Sequence, residues 1–207
     1  PARQIGGDFY DFQDVDGHLY MAIGDVAGKG VPAALFMSKT LTLMRAKAAS
    51  GKSPSQIVTE MNRDLDQYNE QSMFVTLFLG KLDPATGELI YTNAGHNPPF
   101  LLRKGSAPEL LKAVHGIPPG SMPQESYGND RLHMKAGDKI LLYTDGVTEA
   151  GNAGNELFGS ERLEALLERD GNSEPEALAN AILAEVDAFA GSVEQADDIT
   201  IFIFEYH

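Results

Sequence analysis

Four places in the chain set a carboxylate where a ligand could reach it. Asp8 lies in I-G-G-D-F-Y-D, Asp25 in I-G-D-V-A-G-K-G, Asp145 in L-Y-T-D-G-V-T-E, and the pair Asp197-Asp198 in A-D-D-I-T. At three of the four a glycine is the direct neighbour: Gly7, Gly24 and Gly146. Glycine beside a carboxylate at a strand end lets backbone and ligand come close. Asp-Gly also marks ordinary turns, and at any single position that reading is about as good. Each aspartate, however, follows a strand-like apolar segment or, for the last pair, precedes one, and the coincidence recurs at all four places. Carboxylates gathered and buried repel one another, and several must take up protons unless cations join them. Oxygen-only ligands of this kind select hard ions, Mg2+ or Mn2+, over zinc.

Those positions need elements to hold them. Residues 2–12 and 18–26 alternate or run apolar around Asp14-Val15-Asp16-Gly17, which predicts a hairpin. After Gly30 a helical period begins, with Pro32 in the first turn, where its missing N–H costs nothing. Ser53-Pro54 opens a second helix carrying Ile57, Met61 and Leu65 on one face. From Met73 three strands follow, F-V-T-L-F-L-G-K-L-D, G-E-L-I-Y-T-N-A and P-F-L-L-R. Residues 105–130, with many Gly, Pro and Ser, read as a loop with a short strand. Strand signals return at R-L-H-M and K-I-L-L-Y-T; helices are expected over 160–169 and 174–190, and I-T-I-F-I-F-E-Y is the last strand. Phe9, Tyr10, Phe74, Met37, Met44 and Met61 read as core, and the acidic run from Glu156 to Glu168 as a solvated helix face. Strands that arrive in runs argue for antiparallel sheets with segregated helices. The expected fold is α+β, a four-layer α-β-β-α sandwich of two mainly antiparallel sheets flanked by helix pairs.

Composition narrows the partners. At 207 residues the chain suits one domain with a substantial core. A net charge of −14 repels nucleic acid and anionic lipid and favours cations. An acidic chain that binds an anion must invert its field locally, and a metal ion is the simplest means. No apolar run approaches the roughly 18 residues of a membrane span, and no signal peptide is visible. The lack of cysteine rules out disulfides, thiolate metal sites and cysteine nucleophiles. The expectation is a cytoplasmic domain without nucleic-acid or membrane contacts. The chain opens at Pro1 within a strand-like segment, so residues 1–207 are expected to be a single domain excised from a longer regulatory protein.

With these residues the chain resembles the metal-dependent protein phosphatases of type 2C. Within them it is similar to the bacterial branch of stage II sporulation protein E and the sigma-B regulator phosphatases. The matching motifs are G-G-D-F-Y-D, G-D-V-A-G-K-G-V-P-A-A-L, F-V-T-L-F, N-A-G-H-N-P-P, L-L-Y-T-D-G-V-T-E-A and A-D-D-I-T, in order from Ile5 to Thr200. The resemblance implies two Mn2+ or Mg2+ ions at one end of the sheets, with Asp8 and Asp25 as shared ligands and the Val26 carbonyl on one of them. Asp145 and Asp197 would complete the other side; Asp198, where many relatives carry Asn, would lie beside them or ligate occasionally. It also implies that metal-activated water hydrolyses phosphoserine or phosphothreonine on an anti-sigma-factor antagonist of the STAS type, under an upstream sensor or receiver domain.

Other residues carry competing readings. His96 could be a general acid, or a turn residue whose imidazole bonds backbone. Arg3, five residues before Asp8, could be an exposed strand cation, or a substrate-binding arginine as in some type 2C relatives. Lys29 lacks the spacing and the following Ser/Thr of a phosphate-binding loop, so Gly28-Lys29-Gly30 is expected to shape the approach to the first helix. A regulatory module without catalysis would not need all four aspartate positions filled. A nucleotide cyclase, suggested by G-G-D-F-Y, would leave Asp145 and Asp197 without a role.

Overall fold

The computed structural model describes residues 6–67 and 69–207, which form two compact units. The first runs to His96 and takes in Ala113–Met134; the second comprises Asn97–Lys112 and Lys135–His207.

In the first unit β1 (Phe9–Val15) and β2 (His18–Val26) form the hairpin expected from the D-G turn. Asp16 and Gly17 both take positive φ there, as a two-residue turn requires. With β3 (Val75–Leu82), β4 (Glu88–Ala94) and β7 (Asp130–His133) they make an antiparallel sheet of order β1-β2-β3-β4-β7. Two helices cover one face, α1 (Val31–Ala48) and α2 (Pro54–Asp66). Gly30 precedes α1 at φ 82 and ψ −158, a conformation open almost only to glycine. Gly28-Lys29-Gly30 does shape that approach. The Ser53 N–H donates to Gln56 Oε1 at 3.0 Å and closes the first turn of α2, whose Ile57, Met61 and Leu65 are fully buried. Asp11, the last carboxylate of G-G-D-F-Y-D, is buried and accepts two 2.7 Å bonds from Arg45 of α1, which fixes the helix against the edge strand.

Both faces of this sheet are buried at its centre. Ala22 and Leu77 face the helices, while Ile23 and Phe78 are equally buried on the opposite face. That is why these strands read as apolar runs and not as a clean alternation. Tyr10 and Phe74 depart from expectation, at 54% and 38% exposed. β1 is an edge strand whose alternation sends Phe9 and Asp11 towards α1 and leaves Tyr10 outside, and Phe74 lies ahead of β3.

In the second unit β5 (Phe100–Leu102), β6 (Glu109–Leu110), β8 (Lys139–Tyr143) and β9 (Ile201–Glu205) form an antiparallel sheet of order β6-β5-β8-β9. Against it pack α4 (Gly159–Asp170) and α5 (Pro175–Ala190) through Leu163, Leu166, Leu178 and Ile182. The glutamates of α4 point to solvent as expected. A one-turn helix, α3 (Asp145–Thr148), follows β8. Sequence periodicity misses it because four residues carry no repeat. Among the described residues the fold therefore has two antiparallel sheets and five helices, the α+β class expected.

Candidate functional site

Each unit brings one set of the expected acids to a sheet end. In the first, Phe9 pairs with Gly24, and one step further the Val26 N–H donates to the Gly7 carbonyl at 3.3 Å. Asp8 therefore stands opposite Asp25, and side chains at opposed positions share a face with Cβ atoms about 5 Å apart. Both are half-buried. Glycine is needed on either side. A Cβ on Gly7 would lie 2.5 Å from the Val26 carbonyl oxygen and 3.1 Å from Asp25 Oδ1; one on Gly24 would lie 2.6 Å from the Phe9 ring. The glycines admit the neighbouring strand, so that Asp8, Asp25 and the Val26 carbonyl crowd one corner. Two carboxylates opposed in this way repel each other, and an oxygen-only set suits a hard cation.

In the second unit, β8 ends at Tyr143, whose phenol burial pushes up to about 12. Thr144 then turns the chain: its N–H donates to the Thr200 carbonyl at 3.1 Å, and its hydroxyl accepts from the Thr200 N–H at 3.0 Å. Asp145 starts α3, and its carbonyl accepts the Glu149 N–H at 2.7 Å. A Cβ on Gly146 would lie 2.0 Å from the Asp198 carbonyl oxygen, so the Asp145 turn and the Asp197-Asp198 segment touch through backbone. Asp145 is half-buried, whereas Asp197 and Asp198 are exposed, and Asp197 Oδ1 accepts the Asp198 N–H at 2.9 Å. Among the described residues, no group of three or more His, Asp or Glu side chains is drawn together closely enough to hold a metal ion.

His96 is buried in the first unit, and its Nδ1 lies 2.8 Å from the Thr76 hydroxyl. The imidazole thus bonds a side chain of the neighbouring strand. Thr76 and Asn93 were not singled out in the sequence. The available signal was a polar residue inside V-T-L-F and T-N-A, where both strand faces are otherwise apolar. Arg3 lies outside the described residues.

The fold is that of a type 2C (PP2C) protein phosphatase domain. Superposition agrees: the SiaA-PP2C domain of Pseudomonas aeruginosa matches with a TM-score of 0.85 at 24% identity, over 98% of this chain and 82% of that one. Residues 15–207 match the family of stage II sporulation protein E (SpoIIE), and the chain belongs to that family. Phosphoserine phosphatase RsbU of Bacillus subtilis is 35% identical over 149 residues, covering 72% of this chain and 44% of RsbU. Protein IcfG of Synechocystis is 33% identical over 232 residues, covering 97% of this chain and 36% of IcfG. This chain thus spans less than half the length of either relative. RsbX, whose fold matches with a TM-score of 0.68 at 17% identity over 98% of this chain and 88% of RsbX, was solved in complex with magnesium. Among the described residues no helix is long and apolar enough to cross a membrane.

Proposed function

We propose that this chain is a single phosphatase domain that removes phosphate from phosphoserine or phosphothreonine on a protein, using two Mn2+ or Mg2+ ions. Its ligands are Asp8, Asp25, the Val26 carbonyl, Asp145 and Asp197, with Asp198 beside them or ligating occasionally. Bound there, the ions supply Lewis acidity, lowering the pKa of water and neutralising phosphoryl oxygens. The protein's own part is positional. Gly7 keeps the backbone close enough for Asp8, Asp25 and the Val26 carbonyl to face one space, and Thr144 sets the turn that presents Asp145.

The observation that carries this reading is the opposition of Asp8 and Asp25 one step beyond the β1–β2 ladder, which sets two carboxylates and the Val26 carbonyl at one corner, an oxygen-only set suited to a hard cation. The lack of cysteine agrees with a reaction that uses no protein nucleophile. The kinship with RsbU supports phosphoserine as substrate, and the resemblance to the sigma-B regulators supports a STAS-type anti-sigma-factor antagonist in the cytoplasm. On the same grounds an upstream sensor or receiver domain would regulate the enzyme. By the resemblance to some type 2C relatives, Arg3 is proposed to bind the substrate phosphate, against the alternative of an exposed strand cation.

The test is hydrolysis of p-nitrophenyl phosphate with and without Mn2+, by wild type and Asp8→Asn. Turnover should require metal and vanish in the variant. Equal rates with and without Mn2+ would remove the reading.

A further inference from the structure

Asp25 has a second neighbour besides Asp8. The β2–β3 register sets it directly opposite Thr76, so the Thr76 side chain stands beside it on the same face. The Thr76 hydroxyl lies 2.8 Å from His96 Nδ1 and 3.5 Å from the Asp25 carbonyl oxygen. His96, only 4% exposed, is itself gripped at its backbone. Its N–H donates to Asn93 Oδ1 at 2.8 Å, and its carbonyl accepts from Asn93 Nδ2 at 3.0 Å. Asn93 is fully buried and held in turn by His115: the Asn93 N–H donates to His115 Nδ1 at 2.9 Å, and the His115 N–H donates to the Asn93 carbonyl at 2.7 Å. A polar string therefore runs His115–Asn93–His96–Thr76 through an otherwise apolar interior and stops at the Asp25–Val26 strand end.

Apolar side chains would fill that space at lower desolvation cost, and a connected buried network instead fixes one geometry. We infer that His96 is a positioning residue for the metal ligands: its Nδ1–H donates to Thr76, whose hydroxyl is turned towards the Asp25 carbonyl. The Asp25 carboxylate and the Val26 carbonyl are thereby held in one orientation. The inference rests on the assignment of Asp25 and Val26 as ligands. The role belongs to the ring nitrogen beside Thr76, in the tautomer that carries its proton on Nδ1.

Two amide substitutions distinguish the ring nitrogens. In His96→Asn the amide reaches the place of Nδ1; in His96→Gln it reaches the place of Nε2. A second pair, Thr76→Ser and Thr76→Val, keeps or removes the hydroxyl should the His96 variants fold poorly, as read by their metal-free melting temperatures. Mn2+ is titrated while following the melting temperature, and separately while following p-nitrophenyl phosphate hydrolysis across pH. His96→Gln and Thr76→Val should raise the half-saturating Mn2+ roughly 10–100-fold in both titrations, the range for residues that orient metal ligands. Their kcat at saturating metal and the shape of their pH profile should be preserved. His96→Asn and Thr76→Ser should titrate like wild type. The inference is overturned if His96→Asn loses metal affinity as His96→Gln does, or if kcat falls at saturating metal with half-saturation unchanged. Asp8→Asn tells the two levels apart. If it alone abolishes the metal-induced shift while all four variants titrate like wild type, only the positioning role fails. If it titrates like wild type, the ligand assignment fails and takes the inference with it.

Discussion

The acids of the β1–β2 corner and those beside β9 are held by different means. Asp8 and Asp25 are half-buried, with a backbone hydrogen bond on their far side from Val26 to Gly7, so the ladder encloses them. Asp197 and Asp198 sit exposed on the segment leading into β9, where backbone contact with Gly146, the Thr144–Thr200 pair and a bond from Gln195 to the Asp197 carbonyl help to locate them. The first corner is preorganised, and its like charges oppose each other before any ligand arrives. The second can adjust. Charge removal should therefore act on folding at one and on function alone at the other.

The largest expected effect tests that contrast directly. Asp25→Asn and Asp8→Asn should each lower metal-dependent hydrolysis roughly thousandfold, since losing several kcal/mol of metal stabilisation costs a factor of ten per 1.36 kcal/mol. Their metal-free melting temperatures should not fall, because each substitution removes one of two charges set opposite each other. Asp197→Asn should also impair hydrolysis but leave the metal-free melting temperature where it was. Thermal melts in chelator decide the matter: a fall for Asp25→Asn would mean that its carboxylate holds the fold together and is not held by it.

Next in size are the glycines that let backbone touch backbone. Gly146→Ala would set a Cβ 2.0 Å from the Asp198 carbonyl oxygen, and Gly7→Ala one 2.5 Å from that of Val26. Neither obstacle is a flexible side-chain end, so the backbone segments must part. Each should cost about 1–3 kcal/mol, typical of forced overpacking, measured as a shift in urea midpoint. At Gly146 the obstacle belongs to the adjustable segment, so there metal-dependent turnover should suffer more than stability. The reverse order, with Gly7→Ala losing turnover and keeping its midpoint, would contradict the assignment of rigid and adjustable corners.

These contrasts also mark what could be read from sequence. The hairpin was legible because Asp16-Gly17 fixes a two-residue turn, and the turn fixes the register that opposes Asp8 and Asp25. Helices α1 and α2 were legible from Pro32 and Ser53-Pro54, which mark starts whatever the surroundings. Tyr10 was misread as core because hydrophobicity does not say that β1 is an edge strand. The Asp11–Arg45 pair and the Thr76–His96 contact were invisible for a related reason. Their partners are 34 and 20 residues apart, and only the assembled packing and register bring them together. Motif spacing singled out candidate ligand residues and not the Thr76 hydroxyl or the Arg45 guanidinium, whose bonds depend on register and packing.

Thr144→Val sharpens the second corner. The residue is fully buried, and the substitution keeps its shape while removing the hydroxyl that accepts the Thr200 N–H. A buried donor left without its acceptor costs about 1–3 kcal/mol. If the segment before β9 depends on this bond for its course, hydrolysis should fall along with the urea midpoint, and added Mn2+ should recover part of both. A midpoint unchanged in the variant would show that the segment is placed by other contacts.

The smallest effect separates the helix pairs that cover the two sheets. In the first unit Lys52 holds the Glu60 carboxyl below its ordinary value of 4.5, chiefly through a hydrogen bond, with Lys47 adding to it. A carboxyl whose pKa is depressed on folding contributes stability above its unfolded pKa and loses it as pH falls through the folded value. Glu60 should thus help α1 and α2 stay together at neutral pH and cease to do so in acid, below about 4.5. The group is only partly covered, so the gain is a fraction of a helix-surface ion pair and is screened by salt. Across α4 and α5 the corresponding tie is Arg169 to Glu185 at 3.2 Å, exposed, with Arg169 shared by Asp170. Glu60→Gln should therefore flatten the acid limb of the melting curve slightly, and more at low salt than at high, while Glu185→Gln should alter it less because Arg169 keeps Asp170. An equal change from both substitutions would mean that acid acts on the surface charge as a whole and not through the α1–α2 tie.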